Sequence, residues 1–370
     1  MVTKKSLIGS GGKKDSNIVK GVAILCMLFH HLFYQADRYS AYALTGLIGS
    51  AERTLTIAKD MKVCVAAFAL MTGYGMVMKA KSAERSGDSG GIKGQIDNTV
   101  RSYLNLIKDT VFLILIAVPI SLLFSLPRQP ADIWGQDLPH LLCGALANMT
   151  GLAGFLHISW FISAWWYLKI AVIFLVIFPA VYAVMKMRFG QVGLVAAYLA
   201  IVLFSPADPQ RDNIWRYFPA FFLGMLLAYH QAVGFVSKWM GKNRAYALLA
   251  ALALAALYAL SVFVQHRYVQ IICLTQAMQA LLIALFAFLF LAPVPRLSSV
   301  LAYLGENSKY MWLIHVYLYG QLMMDFLFSL KNIWLIFAVL TAVSLLLAVI
   351  LKWINGKILR MLFGKESFSR

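Results

Sequence analysis

The sequence predicts an all-α, polytopic membrane protein with about ten transmembrane helices and both termini in the cytoplasm. Three observations carry that expectation. The 370 residues are 61% hydrophobic and only 13% charged, with a mean hydropathy of +0.75, whereas soluble domains lie nearer about 45–50% apolar and about 25% charged. Apolar runs of spanning length, about 20 residues each, recur along the chain. Lysine and arginine gather in alternate loops between those runs, as the positive-inside rule requires.

The runs fall at 17–36, 61–80, 106–126, 158–185, 190–206, 214–231, 245–265, 269–293, 307–327 and 333–354, with 190–206 the shortest. Residues 138–155, LPHLLCGALANMTGLAGF, are apolar but broken by glycines and polar groups, and are read as a short interfacial or re-entrant piece. The first run is read as a retained helix, because it carries polar candidate residues and no small-residue cleavage site adjoins it. Around it the chain divides into a basic cytoplasmic tail (1–16), a membrane region (17–355) and a second basic tail (356–370).

Counting basic residues sets the orientation. The side of the N-terminus holds Lys4, Lys5, Lys13, Lys14, Lys79, Lys81, Arg85, Lys93 and Arg101, then Lys186, Arg188, Lys238, Lys242, Arg244, Arg296, Lys352, Lys357, Arg360, Lys365 and Arg370, 20 in all. The opposite side holds nine: Arg38, Arg53, Lys59, Lys62, Arg128, Arg211, Arg216, Arg267 and Lys331. Cytoplasmic termini need an even number of spans, and ten satisfies that. The longest loops, 79–104 inside and 127–157 outside, are too small to fold alone, so any chemistry is built from helices and short connections.

A net charge of +18 could indicate nucleic acid, but its placement in short loops is explained by orientation, so no nucleic-acid partner is expected. The four cysteines, Cys26, Cys64, Cys143 and Cys273, form no CxxC pair. They offer neither a disulfide framework nor a thiolate metal site. With no closely spaced histidine ligand pair either, no metal is expected.

Ionisable side chains inside a bilayer are costly and mark function by default. The first run, NIVKGVAILCMLFHHLFYQA, contains Lys20, His30 and His31. Lys20 and His31 are 11 positions apart, close to three helical turns, so they share one face about 16 Å apart. His30 is turned away by nearly a quarter turn. Lys20 by itself could snorkel to the headgroups; His31 lies too deep for that.

This segment resembles the first helix of the acyltransferase family 3 membrane proteins, which carry an Arg/Lys-x10-His signature. The resemblance implies His31 as general base or acyl-relay group and Lys20 in handling the donor, acetyl-CoA. An imidazole titrates near working pH, and a lysine at the inner rim suits a phosphate-bearing thioester. Further pieces recur in order. Thr72-Gly73-Tyr74-Gly75 is similar to the family's Ser-Gly-Tyr region, with threonine replacing serine; its glycines would equally allow close helix packing. Arg101 matches the first position of an Arg-x-x-Arg-like donor contact, but Leu104 stands at the second, leaving Lys108 as a substitute one turn on. Trp160-Phe161 matches a Trp-Phe-Leu region, within a tryptophan cluster that also suits a membrane interface. RYFPAFFLGMLLA at 216–228 resembles a Tyr-Phe-x-x-Gly-Met span, whose Arg216 and Tyr217 either bind an acceptor or anchor the helix. LGENSKYMWLIHVYLY at 304–319 matches a Leu-Gly-x-x-Ser…His element, with Ser308 read as a helix-start cap and His315 as a second acid/base or acceptor ligand. Lys169, about 18 Å along from His157, needs an acidic or carbonyl partner.

The function implied is transfer of an acetyl or related acyl group from cytoplasmic acyl-CoA to a hydroxyl of a cell-surface glycan or its lipid-linked precursor, in the plasma or inner membrane. Tyr74, Thr72 and Trp160 are the candidates for holding the substrate's developing oxyanion. The family's optional extracytoplasmic SGNH-type domain is not expected. The alternative is a secondary transporter or lipid-linked glycan flippase; the scarcity of intramembrane carboxylates, Asp109 and Asp325 being the candidates, and of repeat symmetry weighs against it.

Overall fold

The structure, a computed structural model, describes residues 12–86, 91–127, 129–204, 211–234, 236 and 244–363. Most of the tail predicted at 1–16 and the end of that at 356–370 lie outside the described residues, as do Lys4, Lys5, Arg128, Lys238, Lys242, Lys365, Arg370 and the side chain of Lys93.

The fold is all-α. The helices are α1 (Lys13–Phe33), α2 (Ala51–Asp60), α3 (Val63–Arg85), α4 (Gly91–Leu123), α5 (Pro130–Trp134), α6 (Leu138–Met149), α7 (Tyr167–Met185), α8 (Gly190–Phe204), α9 (Ile214–Tyr229), α10 (Arg244–Arg267), α11 (Ile272–Phe286), α12 (Pro295–Tyr317), α13 (Met324–Ser329) and α14 (Ile333–Phe363). Seven described helical stretches are long and apolar enough to cross a membrane. Three predicted spans fall short of that: 190–206 and 214–231 form the 15-residue α8 and 16-residue α9, and 307–327 is divided among α12, a π-helical turn (Leu318–Leu322) and α13. The 138–155 piece is the short α6 followed by turns.

Helix ends follow local chemistry. Asp137 accepts from His140 N at the start of α6, and Asn213 from Arg216 N at the start of α9. Asn332 takes the Trp334 and Leu335 N–H groups ahead of α14. Each satisfies donors that a helix start leaves open. On α10, Leu248, Leu249, Leu252, Leu257, Leu260 and Phe263 are all exposed. A helix that shows leucine outward along its length has hydrocarbon, not water, as its solvent.

The chain forms two compact units: the described parts of 1–27, 60–99 and 173–306, and those of 28–59, 100–172 and 307–370. In the first unit α3, α9 and α11 pack on one another. Two glycines let α3 and α9 touch backbone to backbone: a Cβ on Gly73 would strike the Phe221 carbonyl, and one on Gly224 the Leu70 carbonyl. Small residues at such crossings are how helices associate where no water drives them together. Gly21 against Leu301 and Gly305 against Asn17 repeat the arrangement between α1 and α12.

In the second unit a buried network anchors the helices. Tyr310 Oη and Asn355 Nδ2 donate to Asp109 at 2.7 and 2.9 Å, and Lys309 pairs with the same carboxylate at 2.5 Å. Asp109 is therefore fully engaged. Asp325 accepts from Tyr42 at 2.8 Å in an exposed position. Ser308 lies in the middle of α12, which begins at Pro295, so the expected helix-start cap is corrected: an apolar-run boundary at 307 misread a helix whose first turns are polar.

Candidate active site

The second unit brings His31 and His315 together. Their ring centroids lie 4.9 Å apart at an interplanar angle of 57°. His315 is completely buried. Its Nδ1 lies 2.8 Å from the Trp312 carbonyl and 3.2 Å from that of Met311. Carbonyl oxygens only accept, so Nδ1 carries a proton, and in the neutral imidazole the lone pair is on Nε2. That Nε2 is buried without a hydrogen-bond partner among the described residues. Leaving a buried acceptor unsatisfied costs about 1–3 kcal/mol, and such groups in functional clefts ask for a chemical explanation.

Tryptophans fix the backbone around it. Trp165, fully buried in the 3-10 turn Ser163–Trp166, donates from Nε1 to the Leu313 carbonyl at 2.9 Å. Trp312 returns a bond to the Ala164 carbonyl at 3.3 Å. The sequence alone left the tryptophan cluster at 157–169 between a family match and a membrane interface; in the structure Trp165 clamps the turn of α12 that carries His315.

Arg38, which sequence reasoning counted only as a loop charge, closes the other side of the pair. Its Nη1 donates to the His31 carbonyl at 2.9 Å and to Tyr319 Oη at 2.8 Å, while Nη2 donates to Tyr34 Oη at 3.1 Å. The guanidinium also sits 4.8 Å from the Tyr34 ring centroid. The His31 carbonyl is one of the orphan acceptors at the end of α1, where a cation is favoured. Tyr319 reaches Arg38 from the π-helical turn, a distortion common at functional sites. Among the described residues Arg38 has no carboxylate partner. The signal available in the sequence was a lone arginine seven positions beyond the key histidine.

The other candidates take distinct places. His30 donates from Nδ1 to the Ala58 carbonyl at 2.8 Å and stacks on Tyr34 at 4.5 Å, tying α1 to α2. Lys20, in the first unit, is partly buried on α1 with no ion-pair partner among the described residues. Arg101 is exposed on α4 and Lys108 binds Asn105 Oδ1 at 2.9 Å, both in the second unit. Thr72 directs its hydroxyl to the Phe68 carbonyl of its own helix at 2.8 Å. Tyr74 is buried 5.7 Å from the Phe288 ring. Trp160 lies partly buried against Gly154. The carbonyl partner sought for Lys169 is that of Gly154, at 2.9 Å.

Arg216 and Tyr217, in the first unit, converge on Asp212. Tyr217 Oη donates to Oδ1 at 2.7 Å, Arg216 Nη1 lies 3.3 Å from Oδ1, and Lys62 reaches Oδ2 at 2.5 Å. Arg216 Nε continues to Gln276 Oε1 at 3.0 Å. Burial pushes the Asp212 carboxyl up, but Lys62, the Tyr217 hydroxyl and Arg216 together hold it below the ordinary carboxylate value.

Among the described residues no group of three or more His, Cys, Asp or Glu side chains could hold a metal ion. No curated protein and no solved structure matches the chain. A family model described as an acyltransferase domain matches residues 14–353, nearly the whole chain including both histidines and Arg38, and with its membrane-length helices the protein belongs to acyltransferase family 3.

Proposed function

We propose that the protein is an O-acyltransferase that takes an acetyl or related acyl group from cytoplasmic acyl-CoA and delivers it to a hydroxyl of a cell-surface glycan or its lipid-linked precursor. The observation that supports this reading is the His31–His315 pair, with the Nε2 of His315 lacking a hydrogen-bond partner among the described residues. A general base must begin unprotonated and within reach of the proton it removes. The hydroxyl oxygen attacks the thioester carbonyl carbon and its proton passes to the histidine pair. The C–S bond then breaks, and CoA leaves as a thiolate that takes up a proton. Lys20, a cation with no ion-pair partner among the described residues on the helix that carries His31, supports a role toward the anionic donor.

The test is release of free CoA by purified protein given acetyl-CoA, with and without a glycan acceptor. His315→Ala and His31→Ala are each expected to lower turnover by at least about 100-fold, the usual scale of acid–base catalysis, while eluting as folded, monodisperse protein. Wild-type rates from His315→Ala would remove the carrying observation. Transport of a glycan without thioester cleavage would replace the enzyme by a transporter.

A further inference from the structure

The first unit contains a cavity of about 400 Å³ at the end of α3 that the charge count assigns to the cytoplasm. Tyr74, Met78 and Leu227 contribute an apolar lining, and Lys81, Ser82 and Arg85 a polar one. Among the described residues no acidic side chain lines it. The nearest acid in sequence, Glu84, is committed elsewhere, at 2.8 Å from Lys186 Nζ and 3.3 Å from Tyr182 Oη. Lys81 is held in place by the last carbonyls of α9, donating to Tyr229 O at 2.6 Å, with its ammonium 4.9 Å from the Tyr229 ring centroid. Arg85 and the Ser82 hydroxyl have no hydrogen-bond or ion-pair partner among the described residues.

Two cations and a free hydroxyl, with no carboxylate hydrogen-bonded to them among the described residues, match a phosphate ester, which guanidinium and ammonium groups grip by charge-assisted hydrogen bonds. The apolar and aromatic lining beside them matches a flat organic body. The volume is within the about 300–1,000 Å³ typical of small-molecule sites. We infer that this cavity binds a phosphate monoester carried on an aromatic body, and that its ligand is the phosphorylated adenosine end of the acyl-CoA donor. The donor assignment rests on the acyl-transfer reading above; the phosphate site does not. An anionic lipid headgroup shares the phosphate chemistry, so the experiment separates the two sources.

Full-length protein is titrated calorimetrically with adenosine 3′,5′-bisphosphate, and CoA release is measured with acetyl-CoA and with acetyl-dephospho-CoA, which lacks the 3′-phosphate. Arg85→Gln, at an exposed position that leaves packing intact, is expected to weaken bisphosphate binding about tenfold and to raise the KM for acetyl-CoA about tenfold with kcat unchanged; tenfold is about 1.4 kcal/mol, the scale of one charged hydrogen bond. The KM for acetyl-dephospho-CoA should not move. Ser82→Ala should give a smaller shift of the same pattern. Equal KM shifts for both donors, or none, overturn the donor assignment. So does native mass spectrometry showing that Arg85→Gln loses bound phosphatidylglycerol while donor kinetics stay unchanged, which makes the site a lipid site. Bisphosphate binding by wild type without any CoA turnover overturns the transferase reading and leaves the phosphate site standing.

Discussion

At the scale of single residues, His315 shows how a backbone contact becomes a chemical property. Two carbonyls on its own helix accept from Nδ1–H, which in the neutral ring places the basic lone pair on Nε2. Arg38 works on the neighbouring ring indirectly: it holds the His31 carbonyl, Tyr34 and Tyr319 in one grip. Replacing it with glutamine removes the charge and the fork that reaches all three. Arg38→Gln is expected to lower kcat about tenfold, the loss of about 1.4 kcal/mol of positioning, with the donor KM unchanged in steady-state CoA release; an equal fall in the thermal midpoint with kcat intact would make the arginine structural only. The 11-residue spacing of Lys20 and His31 was legible because a helix has a fixed period. The meeting of His315 with His31, the reach of Arg38 to Tyr319 and the inward Trp165 were not, because each joins residues more than 100 positions apart.

At the scale of elements, glycines decide which helices meet. Gly73 stands in the Thr72–Gly75 stretch singled out for chemistry, yet its backbone lies against Phe221, while Gly224 receives Leu70. Thr72 beside it bonds back into its own helix. Gly224→Ala places a methyl onto the Leu70 carbonyl, so α3 and α9 must separate. The expected loss is about 1–3 kcal/mol, the usual range for overpacking a tight contact, read as a lowered unfolding temperature in detergent. Gly75→Ala on α3 is the control, since a Cβ there meets nothing within 4 Å. Boundaries were the least legible elements. Apolar-run length placed a span at 307–327, but α12 starts at Pro295 and passes through polar Glu306, Asn307 and Ser308. Glu306 is exposed, and the buried polar groups nearby are tolerated because neighbouring helices satisfy them: Lys352 donates to Asn307, and Tyr310 and Asn355 meet on Asp109.

At the scale of the whole molecule, two patterns act together: leucine-rich exposed faces and a 20-to-nine asymmetry of basic residues between alternate loops. Long apolar faces such as that of α10 require a lipid environment, and the positive-inside rule applied to the charge bias predicts cytoplasmic termini. A fluorescent reporter fused after Arg370 is expected to fold and fluoresce in the cytoplasm, and an alkaline phosphatase fused at the same place to stay inactive. The reverse result would invert the orientation and move the phosphate cavity to the outer face.

Composition, helical period and charge placement were sufficient to predict an all-α membrane protein with a histidine deep in its first helix, and the resemblance of its motifs pointed to the family, because all of these are properties of local sequence. Tertiary structure alone decided that His31 meets His315, that Trp165 and Arg38 hold that pair, and that Lys81, Ser82 and Arg85 share a cavity. Those are contacts between segments far apart in the chain, and their geometry is set by how closely particular backbones approach.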